Sequence, residues 1–129
     1  LERLTDFNQV PDYLLEQVKD RNWSPTTLKN WGKAIGANPF NFIIGIKAGE
    51  KIIGIFWGTL NPIVEGIFIN IVSVDKEYQD GKVTDRAVAF FRDIVKSTGF
   101  SKIYALTSRV RAASRYGWKP TNLVLMEVK

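Results

Sequence analysis

Residues 66–99 read GIFINIVSVDKEYQDGKVTDRAVAFFRDIVKSTG, and the change of period inside this stretch decides the fold. Gly66 to Val74 is an apolar run too continuous for one face to sit in water, which predicts a central strand. From Lys82 the apolar positions Val83, Ala87, Phe90, Phe91, Ile94 and Val95 fall on one helical face. Arg86, Arg92, Asp93 and Lys96 decorate the other face, and Gly99 supplies the stop. Ile103 to Leu106 then reads as a further strand. Two strands joined by one long helix are expected to be parallel neighbours through a right-handed crossover.

Working outward, Tyr13, Leu14, Gln17 and Val18 repeat at helical spacing after Pro11 and predict a first helix over 11–21. Ser24-Pro25 offers an N-cap and a first-turn proline for a second helix, with Leu28, Trp31 and Ile35 on one face and Gly36 as its end. Phe40 to Lys47 and Lys51 to Leu60 are β-branched and aromatic runs joined by Ala48-Gly49-Glu50, which predicts a hairpin. Asn61-Pro62 marks the next turn. Downstream, Arg109 to Tyr116 reads as a short helix ending at Gly117, and Asn122 to Val128 as a last strand; Leu1 to Leu4 adds a short first one. The expected fold class is α/β in the α+β sense, a mixed, mostly antiparallel sheet flanked by about four helices. Residues 1–129 are read as a single domain.

Composition narrows the chemistry. The 129 residues include no cysteine and no histidine, which excludes a thiol nucleophile, an imidazole base, a Ser-His-Asp relay and a zinc site of the usual ligands. No metal is expected. The longest apolar stretches are far shorter than the roughly 20 residues of a spanning helix, so no membrane segment is expected. Without cysteine the redox compartment stays open, and a cytoplasmic setting is the default expectation. The opening Leu1-Glu2-Arg3-Leu4 lacks the apolar core of a signal peptide and reads as a start downstream of the native N-terminus.

The formal charge of +5 is uneven. Residues 1–81 sum to −2, whereas residues 82–119 sum to +7, carried by Lys82, Arg86, Arg92, Lys96, Lys102, Arg109, Arg111, Arg115 and Lys119 against Asp85 and Asp93. A basic half suits a phosphate-bearing ligand, and equally a solvated surface.

The element order, with Arg3-Leu4-Thr5-Asp6 opening it and Ala48-Gly49-Glu50-Lys51-Ile52-Ile53-Gly54 in the hairpin, resembles the GNAT N-acetyltransferases over nearly the whole chain. That family moves acetyl from acetyl-CoA to an amine. Val74-Asp75-Lys76-Glu77-Tyr78-Gln79-Asp80-Gly81-Lys82-Val83-Thr84 parallels its fourth-strand exit and cofactor loop. The family's loop reads Gln or Arg, two residues, Gly, one residue, then Gly or Ala. Gln79 fits the first place, but Lys82 stands where the glycine is expected and Thr84 where the second small residue is. A second register takes Gly81 as the first glycine, with Tyr78 in the Gln place and Val83 in the last. In either register the loop's N–H groups and the following helix N-terminus would wrap the cofactor pyrophosphate. A lysine held at positive φ would cost about 1–2 kcal/mol, and Lys82 is offered as a direct ion-pair partner of the pyrophosphate.

The resemblance therefore implies acetyl-CoA, or an acyl-CoA, as co-substrate. It implies Val72 and Val74 as backbone partners of the pantetheine arm, and Gln79, Asp80, Gly81, Lys82, Val83 and Thr84 as the phosphate loop. Gly117-Trp118 matches the family's closing Gly-aromatic pair, but Ala113 holds the place of its acidic tyrosine. Tyr116 becomes the candidate general acid for the leaving thiolate, ahead of Ser114 and Tyr104. Asn70 and Ser73 are candidates for orienting a water that takes the amine proton. Glu65, seven residues before Val72, lies about 23 Å from the acyl position, too far for a base. Trp23 and Trp31 either frame an acceptor pocket or belong to the core.

Three functions follow: an N-acyltransferase working by direct attack of a small-molecule or protein amine; a catalytically degenerate GNAT-fold module with a protein assembly partner; and a nucleic-acid binder using the basic half. Nucleic acid is the weakest, because Asp85 and Asp93 interrupt the basic helix.

Overall fold

The computed structural model describes residues 1–18, 24–105, 117–121, 124 and 126–128. Its elements are β1 (Glu2–Leu4), α1 (Asp12–Glu16), α2 (Pro25–Ala37), β2 (Asn41–Ala48), β3 (Lys51–Asn61), β4 (Gly66–Val74), α3 (Lys82–Thr98) and β5 (Lys102–Ala105). The five strands lie side by side in chain order. β1 to β4 pair antiparallel, and β5, reached through α3, pairs parallel to β4. This is the expected mixed sheet with a strand, helix, parallel strand unit at its end.

Side-chain alternation along the strands feeds two cores. Ile43, Ile55, Trp57 and Ile71 meet Leu14 and Leu15 of α1, Leu28 of α2 and Phe7 on one face. Ile44, Ile46, Phe56, Ile67 and Ile69 meet Val83, Ala87, Phe91 and Val95 of α3 on the other. Burial on both faces accounts for the nearly unbroken apolar runs of β3 and β4.

Several local features depart from expectation. α1 covers only Asp12–Glu16, with Pro11 just outside it and Val18 buried in the core; the remainder of the expected 11–21 helix, 19–21, lies outside the described residues. α2 starts where expected, Ser24 Oγ accepting from the Thr27 N–H at 3.1 Å, but it continues through Gly36 to Ala37. Gly36 is there for proximity rather than termination. A Cβ at position 36 would stand 1.7 Å from the Thr5 carbonyl oxygen, and one at Gly32 would stand 2.3 Å from Asp6 Oδ1. The glycine pair, one helical turn apart, seats the backbone of residues 5–7 directly on α2. Leu28 and Ile35 pack into the core on this face while Trp31 is left 63% exposed, so Trp31 is not a core residue.

Of the expected final elements, the helix at 109–116 lies outside the described residues. Within the expected strand 122–128, Val124, Met126 and Val128 are exposed and unpaired in any ladder. Residues 122, 123 and 125 of that segment lie outside the described residues. No helix among the described residues is long and apolar enough to cross a membrane.

Replacing Gly36 by alanine drives a methyl into a main-chain carbonyl that cannot rotate away. The expected loss is about 1–3 kcal/mol, a fall in Tm of several degrees by calorimetry. An unchanged Tm would show that α2 and residues 5–7 do not make this close approach.

Candidate functional site

The site begins with an irregularity in β4. Trp57 pairs with Ile71 and Gly58 with Ile69, so Asn70 is an extra residue, a β-bulge. The described β4–β5 pairing ends one residue earlier, at Ile69 opposite Ala105. From the bulge onward β4 keeps its partner on the β3 side and has no described partner on the other.

Alternation decides which groups that free edge offers. The Asp75 N–H donates to the Ile53 carbonyl of β3 at 2.7 Å, so Ser73, two residues earlier, also turns its backbone toward β3. Val72 and Val74 therefore turn their N–H and C=O groups away from β3, to the side with no partner among the described residues. These are the two residues expected to meet a pantetheine arm. Val72 is 47% exposed, and Gln79 Nε2 donates to the Val74 carbonyl at 2.8 Å.

A cavity of about 700 Å³ runs along this edge. It is lined by consecutive residues 72–77, by Gln79 and, from α1, by Tyr13, Glu16 and Gln17. Consecutive residues of one strand share a cavity only along its edge. Two hydrogen bonds hold α1 there: Ser73 Oγ donates to the Leu14 carbonyl at 2.6 Å, and Tyr13 Oη donates to the Ile52 carbonyl at 2.8 Å. Ser73 is 4% exposed, and its proton is committed to this link.

Asp75 organises the exit from β4. One carboxylate oxygen accepts from the Glu77 N–H at 3.0 Å, capping the turn at 76–78, and the other lies 3.3 Å from Lys51 Nζ. The backbone hydrogen bond from Glu77, followed by the hydrogen bond from the Lys51 ammonium, holds the Asp75 carboxyl below its ordinary pKa. Lys51 is raised mainly by its hydrogen bond to Asp75, and Tyr13 is raised by desolvation first and by Asp75 next. Composition and motif reading passed over this trio. An Asp directly after a strand and two residues before a turn is the signal that finds it.

The loop resolves the two registers. Gly81 has φ +90° and φ is positive at no residue from 82 to 84, so the left-handed turn falls on the glycine and Lys82 is the first residue of α3. The feared strain at Lys82 does not arise. Its N–H donates to Asp80 Oδ1 at 3.0 Å, and its ammonium, on an 87% exposed side chain, lies 4.0 Å from Asp80. Val83 and Thr84 follow in the first helical turn, where N–H groups have no intrahelical partner. Arg86, Arg92 and Lys96 are exposed along α3 beside exposed Asp85 and Asp93.

Asn70 donates from Nδ2 to Thr59 Oγ1 at 2.8 Å. Tyr104 of β5 packs its ring against Phe68, centroids 5.3 Å apart. Glu65 sits in a left-handed turn at the opposite end of β4, far from the bulge as expected. Tyr116, Ser114, Trp23, Arg109, Arg111 and Arg115 lie outside the described residues.

No family model and no curated protein sequence matches the chain. Solved structures do. An aminoglycoside antibiotic 6'-N-acetyltransferase from Acinetobacter haemolyticus superposes with a TM-score of 0.76 at 11% identity, covering 99% of this chain and 96% of that one. Another aminoglycoside N-acetyltransferase, solved in complex with CoA, gives 0.71 at 14% identity, covering 92% and 85%. A structure described as a transcriptional regulator from Bacillus halodurans gives 0.72 at 18% identity, covering 99% and 97%. The chain has the fold of the GNAT acetyltransferases.

Asp75 has a depressed pKa in the folded state, so its contribution to stability is fully present above the unfolded value of about 3.9 and is lost as pH falls through the folded one. Asp75→Asn is expected to lower Tm at pH 7, with the gap to the parent closing below about pH 4. A gap that stays constant from pH 7 to pH 3 would contradict this. Ser73→Ala, leaving the buried Leu14 carbonyl without its donor, is expected to cost about 1–3 kcal/mol in denaturant unfolding. A smaller loss means α1 is not held there by this bond.

Proposed function

We propose that this chain, built on the GNAT acetyltransferase fold, is an acyl-CoA-dependent N-acyltransferase that moves acetyl from acetyl-CoA to a primary amine by direct attack. One observation carries the reading. On the side away from β3, β4 from the bulge to Val74 has no partner among the described residues, and it leads through the turn at 76–78 to Gly81 and the first turn of α3. Its chemistry fits CoA: amide-pairing groups at Val72 and Val74 suit the pantetheine arm, and the N–H groups of Val83 and Thr84 suit the pyrophosphate. The Lys82 ammonium adds a mobile positive charge there, while Gln79 and Asp80 flank it. When bound, acetyl-CoA would supply an activated thioester.

In the reaction the amine nitrogen attacks the thioester carbon. The N–C bond forms, the C–S bond breaks, the amine proton leaves to water and the thiolate takes up a proton. Strand amides polarising the carbonyl, together with positioning, supply rate without a strong base. Asn70 is proposed to orient the water or the amine. Ser73 retains only acceptor capacity for such a role, and Tyr116 is proposed as the acid for the thiolate.

Glu16, Asp75 and Glu77 around the cavity favour an acceptor that arrives as a cation. This supports a small-molecule amine, in line with the aminoglycoside substrates named for two of the neighbours. A basic protein segment is the alternative acceptor. The cytoplasm remains the expected setting. The catalytically silent reading drew on the loss of both the loop glycine and the family's tyrosine; Gly81 at φ +90° speaks against the first ground, and the second falls on residues outside those described.

Acetyl-CoA at about 100 times its Kd is expected to add roughly 2.7 kcal/mol to stability, a rise in Tm of several degrees. No rise at millimolar acetyl-CoA sinks the proposal. Asp80→Asn keeps the helix cap but removes a negative charge beside the phosphate turn. It is expected to tighten CoA binding about two- to fivefold in isothermal titration calorimetry; weaker binding would mean that Asp80 does not oppose the pyrophosphate.

A further inference from the structure

β4 ends on a carbonyl that one of the chain's own side chains already holds. Gln79 Nε2 donates to the Val74 C=O at 2.8 Å and so closes the turn at 76–78 back onto the strand. The carbonyl can only accept, which makes the Gln79 atom facing it the nitrogen. That C=O lies on the side of β4 away from β3, where Val72 and Val74 are proposed to meet the amides of a pantetheine arm. Gln79 therefore gives Val74 the same amide N–H that such a ligand would bring.

The two groups compete for one place. Gln79 lines the same cavity as Val72 and Val74 and is itself exposed, so its side chain can leave the carbonyl without disturbing the core. Val74 is only 8% exposed, against 47% for Val72, and Gln79 keeps its carbonyl paired while no ligand is bound. Releasing Gln79 to water costs the net worth of one neutral hydrogen bond, a factor of about two to ten in binding. A ligand that brings its own amide N–H to Val74 restores the pairing of the carbonyl. A ligand held by its phosphates alone at the Gly81 turn has no cause to move Gln79.

We infer that Gln79 is a specificity-determining residue: its side-chain amide stands in on the Val74 carbonyl for an amide of the ligand, and it is displaced by a ligand with an amide arm but not by one with phosphates alone. The inference rests on the acyl-CoA reading for the identity of that ligand, and deepens it by naming what the arm must displace. Read from the sequence as part of the phosphate loop, Gln79 turns its side chain instead to the strand that would receive the arm.

Two readouts test this on the full chain, and neither needs activity. In isothermal titration calorimetry, Gln79→Ala, which removes the amide, and Gln79→Met, which keeps the length without it, are expected to bind CoA about two- to tenfold more tightly than the parent. Adenosine 3′,5′-bisphosphate, which carries phosphates and no amide, is expected to bind all three equally. Unchanged CoA affinity overturns the inference, because the carbonyl is then shared or never met by the ligand. Weaker CoA binding overturns it too, because Gln79 then serves to hold the turn. An equal gain with the bisphosphate assigns the effect to the phosphate turn and overturns it likewise. In NMR spectra of the ¹⁵N-labelled parent, the Gln79 side-chain NH2 is expected to show contacts to Val74 and slowed exchange, to lose both on saturation with CoA and to keep both with the bisphosphate. Contacts that survive saturation with CoA overturn the displacement. A parent that does not bind CoA overturns the acyl-CoA reading and the inference with it, whereas every other failure leaves CoA binding intact.

Discussion

Everything about the site depends on one extra residue in β4. A strand inside a sheet must give every backbone N–H and C=O a partner, and a regular β4 would have continued to present them to β5. Inserting Asn70 re-aims the strand and shifts its side-chain parity. Ile67 and Ile69 face α3 before the bulge, whereas Ile71 joins the opposite core after it. β4 thus enters as a core strand and leaves with Val72 exposed on the side away from β3. The cost of irregularity is met by the polar chain from Trp57 through Asn41 and Thr59, which occupies the polar groups gathered there.

The second half of the design is the joint between α1, β3 and the exit of β4. α1 is only five residues long and has little intrinsic stability. It is held by apolar contact of Leu14 and Leu15 and by the two hydrogen bonds from Ser73 and Tyr13 to main-chain carbonyls. Asp75 extends the joint by fastening the following turn to Lys51 at the start of β3. The wall of the cavity and the turn at 76–78 are therefore parts of one packed unit.

How much of this was legible in the sequence depended on the range of the interaction. Period-two and period-3.6 patterns located β2 to β5 and α3 within a residue or two, because both faces of the sheet are buried and each strand announces itself locally. Gly81 was visible as one of two registers, and only backbone torsion chose between them. Gly36 was misread as a helix end, since a glycine that terminates and a glycine that admits another backbone look the same in one dimension. Trp31, expected on one face with Leu28 and Ile35, stands outside the core they join. Asn70 was singled out as a polar residue in a central strand, but its bulge depends on register with β3. Asn41, Thr59 and Asn70 converge across three strands, and no spacing rule joins them.

The charge asymmetry along the chain has become an asymmetry in space. Carboxylates of Glu16, Asp75 and Glu77 gather around the cavity, whereas Lys82, Arg86, Arg92 and Lys96 line the exposed side of α3 just beyond the Gly81 turn. Lys76 and Lys51 stand among those carboxylates, and Asp80, Asp85 and Asp93 among those cations, so the two regions differ by only a small net charge. If the proposed function holds, an elongated ligand with an anionic tail would feel that difference during approach, over a distance set by the Debye length of about 8 Å at physiological ionic strength. Orientation during approach, rather than grip after arrival, is what this arrangement of charge supplies, and salt weakens it first in the association rate.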